Sequence, residues 1–202
     1  MLQTQTVVPD LLELLKKLMS ENLFSEFNLV GGTSLALQLG HRNSIDIDLF
    51  GNQDINQILF EEKIREYGKV EISQSSKNIL ITKINDVKVD FVNYKYPLLK
   101  EFLVIDTIRM LSTQDIAAMK LNAIMGRGSR KDFIDLYFLL NEFSMKEILN
   151  FYTQKFNDGS IFLVQKSLTY FQDADIQPQP KIFKEFDWEI CKQKILEEVR
   201  KL

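Results

Sequence analysis

The chain has 202 residues, enough for one domain of ordinary size or two small lobes. Hydrophobic residues make up 45% of it, so a sizeable core can form and wholesale disorder is excluded. A formal net charge of −3 argues against a broad electrostatic grip on nucleic acid, though not against a local basic groove, and one Cys with one His excludes an intrachain disulfide and a Cys/His zinc centre. The first twenty residues carry Asp10, Glu13, Lys16 and Lys17, unlike a signal segment, and no apolar run approaches membrane-spanning length. The expectation is a soluble, cytoplasmic protein with no membrane partner.

Pro9 and Asp10 open an amphipathic helix with Leu11, Leu14, Leu15 and Leu18 at helical spacing. Leu29 and Val30 read as a short strand leading into a Gly31-Gly32 turn, and Ser34 to Leu39 as a helix that Gly40 ends. The next strand alternates Ile45, Ile47 and Leu49 with Asp46 and Asp48, which sends both carboxylates to one face. Two anions side by side repel, and a divalent cation removes that cost because Mg²⁺ or Mn²⁺ takes carboxylate, water and phosphate oxygens. Gly31 and Gly32 let backbone approach a ligand, and Thr33 or Ser34 adds a hydroxyl where a helix start attracts phosphate. A phosphate cradle followed by paired carboxylates is the logic of phosphoryl or nucleotidyl transfer.

This arrangement resembles the nucleotidyltransferases of the DNA polymerase β type, with their Gly-Gly-Ser/Thr, spacer and Asp-x-Asp/Glu. The full string GGTSLALQLGHRNSIDIDLF, with Gly40-His41-Arg42, Ser44 and Leu49-Phe50, is closer still to the AbiEii group of abortive-infection toxin nucleotidyltransferases. The resemblance implies NTP as substrate, Mg²⁺ or Mn²⁺ as cofactor, an RNA such as tRNA or a protein as acceptor, and a separately encoded antitoxin. His41, at the end of a helix, is expected to tie the loop between helix and strand.

Further along, Asp54 is placed to cap a helix running to about Tyr67, with Ile55, Ile58, Leu59 and Ile64 inward. Three alternating runs follow, KVEISQ, NILITKI and VKVDFVNY, the last two joined by Asn85-Asp86, and they read as a β-meander. Asp90 falls mid-strand on the polar face with Lys88; the resemblance makes it the third carboxylate. Leu98 to Leu111 reads as a connector with one short strand from Thr107, and Ser112 with Asp115 as a capping box.

The stretch DIAAMKLNAIMGRGSRKDFIDLYFLL puts Lys120, Ile124 and Arg127 on one helix stripe, breaks at Gly126 and Gly128, and opens a second helix at Arg130. One reading is a helix pair with surface ion pairs of little value. The other has Lys120 and Arg127 hold a triphosphate while Asp132 or Asp135 orients them. The Lys/Arg-Asp-x-x-Asp-Leu ending again looks like the AbiEii group, which carries Lys120, Asp132 and Asp135 into the site and adds Arg130 where Lys131 stands before Asp132. Ser144 with Glu147 starts another helix, and Ser160 to Phe171 another; Phe151, Tyr152, Phe156, Phe162, Tyr170 and Phe171 are expected in the core. Gln177 to Pro180 is a linker, and Asp187 to Leu202 a closing helix.

The expected fold is α+β: residues 1–103 as a small mixed sheet with flanking helices, and residues 104–202 as a helical lobe completing a nucleotide cleft. The expected catalytic set is Asp46, Asp48, Asp90, Lys120 and Asp132, with metal on Asp46, Asp48 and Asp90. Nucleotide contacts fall to Gly31, Gly32, Thr33, Ser34, Lys120, Arg127, Arg130 and Asp135. A metal-dependent small-molecule transferase or phosphodiesterase, and a non-catalytic regulatory module, stay open as alternatives.

Overall fold

A computed structural model describes residues 1–202 and divides them into two compact units. The first comprises residues 1–38, 44–95 and 102–111; the second comprises 39–43, 96–101 and 112–202.

The first unit holds the whole seven-stranded mixed sheet, in the order β3-β4-β5-β2-β1-β7-β6. Its strands are β1 (Phe27–Leu29), β2 (Asp46–Gly51), β3 (Val70–Ser75), β4 (Ile79–Ile84), β5 (Val87–Asn93), β6 (Leu103–Ile105) and β7 (Ile108–Met110). The expected meander is β3-β4-β5, antiparallel throughout, and Asn85 and Asp86 both take positive φ in its second turn. Strand β2 lies fourth of the seven, antiparallel to β1 and parallel to β5. A central strand must be apolar on at least one face, and Ile47 and Leu49 are fully buried while Asp46 and Asp48 leave the other way. Ile45 precedes the strand and is 62% exposed, so it does not join that apolar row.

Helices α1 (Pro9–Ser20), α2 (Gly31–Leu39) and α3 (Gln57–Arg65) accompany the sheet. Leu11, Leu14, Leu15 and Leu18 of α1 are all buried, as their spacing requires. The core centres on Phe24, Phe27, Phe60 and Phe91, whose rings meet edge-on or tilted at 4.8–5.6 Å, favourable geometry for aromatic pairs.

Two expectations change here. Asn56, not Asp54, caps α3, its side chain accepting from the Leu59 amide at 3.3 Å, while Asp54 accepts from Asn93. On α3 Phe60 and Ile64 are buried, whereas Ile58 and Leu59, expected inward, are exposed. The connector after Leu98 contains a hairpin, β6-β7, turned by Asp106 and Thr107 at positive φ. Because β7 pairs with β1, residues 102–111 belong to the sheet unit and the division does not fall at 103. The Arg109 guanidinium fixes this strand by donating to the carbonyls of Met19, Phe24 and Phe27.

The second unit contains α4 (Thr113–Gly126), α5 (Arg130–Leu139), α6 (Met145–Lys155), α7 (Ile161–Leu168), the single turn α8 (Gln172–Asp175) and α9 (Trp188–Arg200). Ser144 and Glu147 form the expected reciprocal capping box on α6. Ser112 caps α4, but the Asp115 carboxylate does not reach back to its amide; it binds Lys155 at 2.7 Å and the Leu99 and Lys100 amides. Tyr152, Phe156 and Phe171 are core as expected, whereas Phe162 is 71% and Tyr170 49% exposed, because α7 is short and turns only Val164 and Leu168 inward. No helix is long and apolar enough to cross a membrane.

Two glycines give opposite tests of this packing. A Cβ on Gly51 would lie 2.5 Å from the Glu26 carbonyl oxygen and 3.1 Å from Phe27 Cα, so Gly51→Ala should lose about 1–3 kcal/mol in chemical denaturation as β1 is pushed away. A Cβ on Gly126 meets nothing within 4 Å at a helical position, so Gly126→Ala should gain about 0.4–1 kcal/mol.

Candidate functional site

The sheet unit brings together four charged side chains. The parallel register of β2 and β5 pairs Asp46 with Lys88 and Asp48 with Asp90, so three carboxylates and one ammonium share a face. Lys88 donates to Asp90 Oδ2 at 2.5 Å. Burial works against the lysine's charge, but Asp90, with Asp48 and Asp46 beyond it, holds its pKa above the ordinary value. Asp90 Oδ1 is buried and has no hydrogen-bond partner. No three His, Cys, Asp or Glu side chains converge as a ready-made metal-ligand set.

Helix α2 starts one turn earlier than its sequence suggests, at Gly31, which takes φ +66°. A Cβ there would lie 2.6 Å from Asp48 Oδ2, so both the backbone and the neighbouring acid demand glycine. The Val30 amide donates to the Asp48 carbonyl at 2.9 Å, tying the helix start to the strand. Ser34 N to Val30 O, at 3.4 Å, is the first helical bond, so the Gly31, Gly32 and Thr33 amides precede it as helix-start donors beside the acids. Thr33 and Ser34, by contrast, are buried at 1% and 0% exposure. The Thr33 hydroxyl donates to the Asp46 carbonyl and lies 2.8 Å from Ser44 Oγ, while Ser34 accepts from Gln38. The Thr33 hydroxyl holds α2 against β2 and the Ser34 hydroxyl is paired within α2, so neither lines an open surface.

The donor set fits a hard divalent cation. The oxygen donors on the face are carboxylates, one oxygen of Asp90 is orphaned, and Gly31 leaves the space beside Asp48 that any side chain would fill.

The helical unit gathers the remaining expected residues into a buried ionic chain. Asp135, fully buried on α5, accepts from Arg42 Nε and Nη2 at 2.7 and 2.8 Å, from His41 Nε2 at 2.7 Å and from Lys120 Nζ at 2.5 Å. Lys120, 4% exposed, also reaches Asp132 Oδ1 at 3.1 Å. Asp132 is completed by Arg127 Nε and Nη2 at 2.9 and 3.1 Å and by the Ser129 hydroxyl at 2.5 Å. The lysine in the small, apolar helix α4 is therefore there to join two carboxylates. Burial opposes ionisation of both acids, yet the surrounding cations hold Asp132 below the ordinary carboxylate range and Asp135 well below it. Burial likewise pushes His41 down, against the pull of Asp135, so the ring is neutral, with Nε2 carrying the proton it donates.

Arg42 is the member of this chain that sequence reasoning missed; it stands 93 residues from its bidentate partner. Arg130 was expected among the nucleotide contacts, but it turns elsewhere: Nη1 donates to the Gln177 carbonyl at 2.9 Å and the guanidinium lies 4.6 Å from the Trp188 ring centroid. It anchors the closing segment of the chain.

The comparisons follow this geometry. A family model described as nucleotidyl transferase AbiEii toxin, type IV toxin–antitoxin system, matches residues 13–201. An uncharacterized protein of Aquifex aeolicus (strain VF5) is 33% identical over 186 residues, 86% of this chain and 90% of that protein. JHP933 from Helicobacter pylori aligns with a TM-score of 0.57 and 18% identity, covering 96% of this chain and 92% of its own. MenT4, a nucleotidyltransferase toxin of Mycobacterium tuberculosis H37Rv, aligns with a TM-score of 0.60 and 15% identity over 96% of this chain and 83% of its own. At these identities the two structures show a shared α+β nucleotidyltransferase fold.

The ionic chain sets a pH dependence. His41 has a lowered folded pKa, so the unfolded state binds the extra proton as pH falls below about 6.5, and stability should decline from there. Asp132 and Asp135 have lowered pKa values, so their contribution is complete above about 4 and lost as pH falls further. Thermal melts from pH 8 to 3 should show both phases, and His41→Gln should remove the first and keep the second.

Proposed function

The chain belongs to the AbiEii nucleotidyl transferase toxin family, and we propose that it transfers a nucleoside monophosphate from an NTP to an RNA or protein acceptor in a Mg²⁺- or Mn²⁺-dependent reaction. The acceptor hydroxyl releases its proton to solvent as its oxygen bonds to the α-phosphorus, and the bond from that phosphorus to the departing pyrophosphate breaks. The observation that carries this reading is the β2–β5 register, which sets Asp48 beside Asp90 with Asp46 on the same face.

Asp46, Asp48 and Asp90 would hold the divalent cation, with Asp90 Oδ1 as the oxygen now lacking a partner. When bound, the cation supplies charge neutralisation to the phosphates and a Lewis acid for the attacking oxygen. The Gly31 and Gly32 amides, at the start of α2, offer donors to phosphate, and the absence of a side chain at Gly31 keeps the approach beside Asp48 open. Thr33 fixes the height of α2 above β2 through the Asp46 carbonyl, a positioning role. In the helical unit Arg127 is the cation of the ionic chain with substantial exposure, 60%, so it is the one a phosphate from solvent can contact, with Asp132 setting the plane of its guanidinium. Lys120 stays between Asp132 and Asp135 and holds that carboxylate in place. Membership of a toxin–antitoxin family supports a cognate antitoxin as its counterpart.

Incubation with Mg²⁺ or Mn²⁺, bulk tRNA and each α-labelled NTP tests the reading. Label should become attached to RNA or to protein, and Asp48→Asn should lower that rate by roughly a hundredfold or more, the scale of losing one transition-state electrostatic group. Release of free nucleotide with no attached label would mean a phosphodiesterase on the same fold.

A further inference from the structure

Lys88 has no role in the reading above, yet it sits on the acid face. It is the Cα partner of Asp46 across the β2–β5 pair and two residues before Asp90, so its side chain leaves the same side of the sheet. Its Nζ lies 2.5 Å from Asp90 Oδ2, and its side chain is 49% exposed. The other lysines that meet acids deep in the chain are different: Lys120 and Lys155 are 5% and 0% exposed and locked between fixed partners. Lys88 is held by one oxygen at the end of a flexible four-carbon stem. Its single hydrogen bond also leaves Asp90 Oδ1 buried without a partner, a costly state for a carboxylate oxygen.

We propose that Lys88 is a resident competitor for the divalent cation: its ammonium occupies Asp90 when the metal is absent and gives that carboxylate up when the metal binds. This rests on the metal reading of the acid face given above. An ammonium and a hard cation cannot share a carboxylate without repelling each other, and the exposed stem gives Nζ a path to solvent at no packing cost. The lysine therefore answers the Asp90 charge when the metal is absent and at the same time weakens the metal's hold on that carboxylate. Lys88 is a positioning residue in this scheme, acting through Asp90.

Calorimetric titration of Mn²⁺, without nucleotide, into wild type, Lys88→Met, Lys88→Arg and Asp48→Asn tests the inference. Methionine keeps the stem and removes the charge, so Lys88→Met should bind Mn²⁺ about tenfold more tightly, the order expected when a unit charge near a divalent ion is removed at near-surface dielectric. Lys88→Arg keeps the charge and should stay close to wild type. Thermal melts supply a second readout: Lys88→Met should be less stable than wild type without metal, and the gap should close or reverse in saturating Mn²⁺. If Asp48→Asn abolishes Mn²⁺ binding while Lys88→Met binds no more tightly than wild type, or if the stability gap is unaffected by metal, Lys88 is not a competitor. If Asp48→Asn binds Mn²⁺ as well as wild type does, the metal reading itself is wrong and this inference falls with it.

Discussion

Like charges on one face of a central strand repel, and the sheet unit is arranged around that repulsion. Strand β2 sends Asp46 and Asp48 to the same side, and its parallel pairing with β5 adds Asp90 directly opposite Asp48. The surrounding sequence accommodates this. Gly31 has no side chain because one would overlap Asp48, Thr33 holds α2 to the strand carrying the acids, and Lys88 meets Asp90 on the same face. Beneath the acids, Ile47, Leu49, Val89 and Phe91 are fully buried, so the apolar side of the same strands supplies the stability that the charged side consumes.

The helical unit handles its acids in the opposite way. Asp132 and Asp135 are fully buried, but each has its oxygens answered by Arg, Lys, His or Ser donors. Breaking such a chain by removing one partner costs about 3–5 kcal/mol, because an uncompensated charge stays inside. That is a structural cluster with one exposed end, Arg127. The sheet acids are the reverse: partly exposed, with one oxygen, Asp90 Oδ1, lacking a hydrogen-bond partner. That contrast is why we propose metal binding for the sheet face and positioning for Lys120 and Asp132.

Much of this was legible in the sequence where physics is local. The meander followed from period-two alternation and the Asn85-Asp86 turn, the Asp46/Asp48 face from the same alternation, and the α6 start from Ser144 and Glu147. Contacts that depend on distant pairing were not. Arg42 meets Asp135 across 93 residues, and nothing near Arg42 announces a buried partner. Lys88 could be placed on the polar face of its strand, but only the register shows that the face belongs to three acids. The burial of Thr33 and Ser34 followed from α2 starting at Gly31, one turn ahead of the point that its apolar residues marked. Asp54 and Asn56 are both good caps, and the sequence does not choose between them.

The account stands on the three sheet carboxylates forming a cation site. Anomalous diffraction from crystals grown with Mn²⁺ tests this without relying on turnover. The account predicts a manganese peak within ligand distance, about 2.0–2.3 Å, of oxygens from Asp46 and Asp48, with Asp90 turned from Lys88 toward the ion. A manganese peak away from β2 and β5, with Lys88 still bound to Asp90, would contradict it.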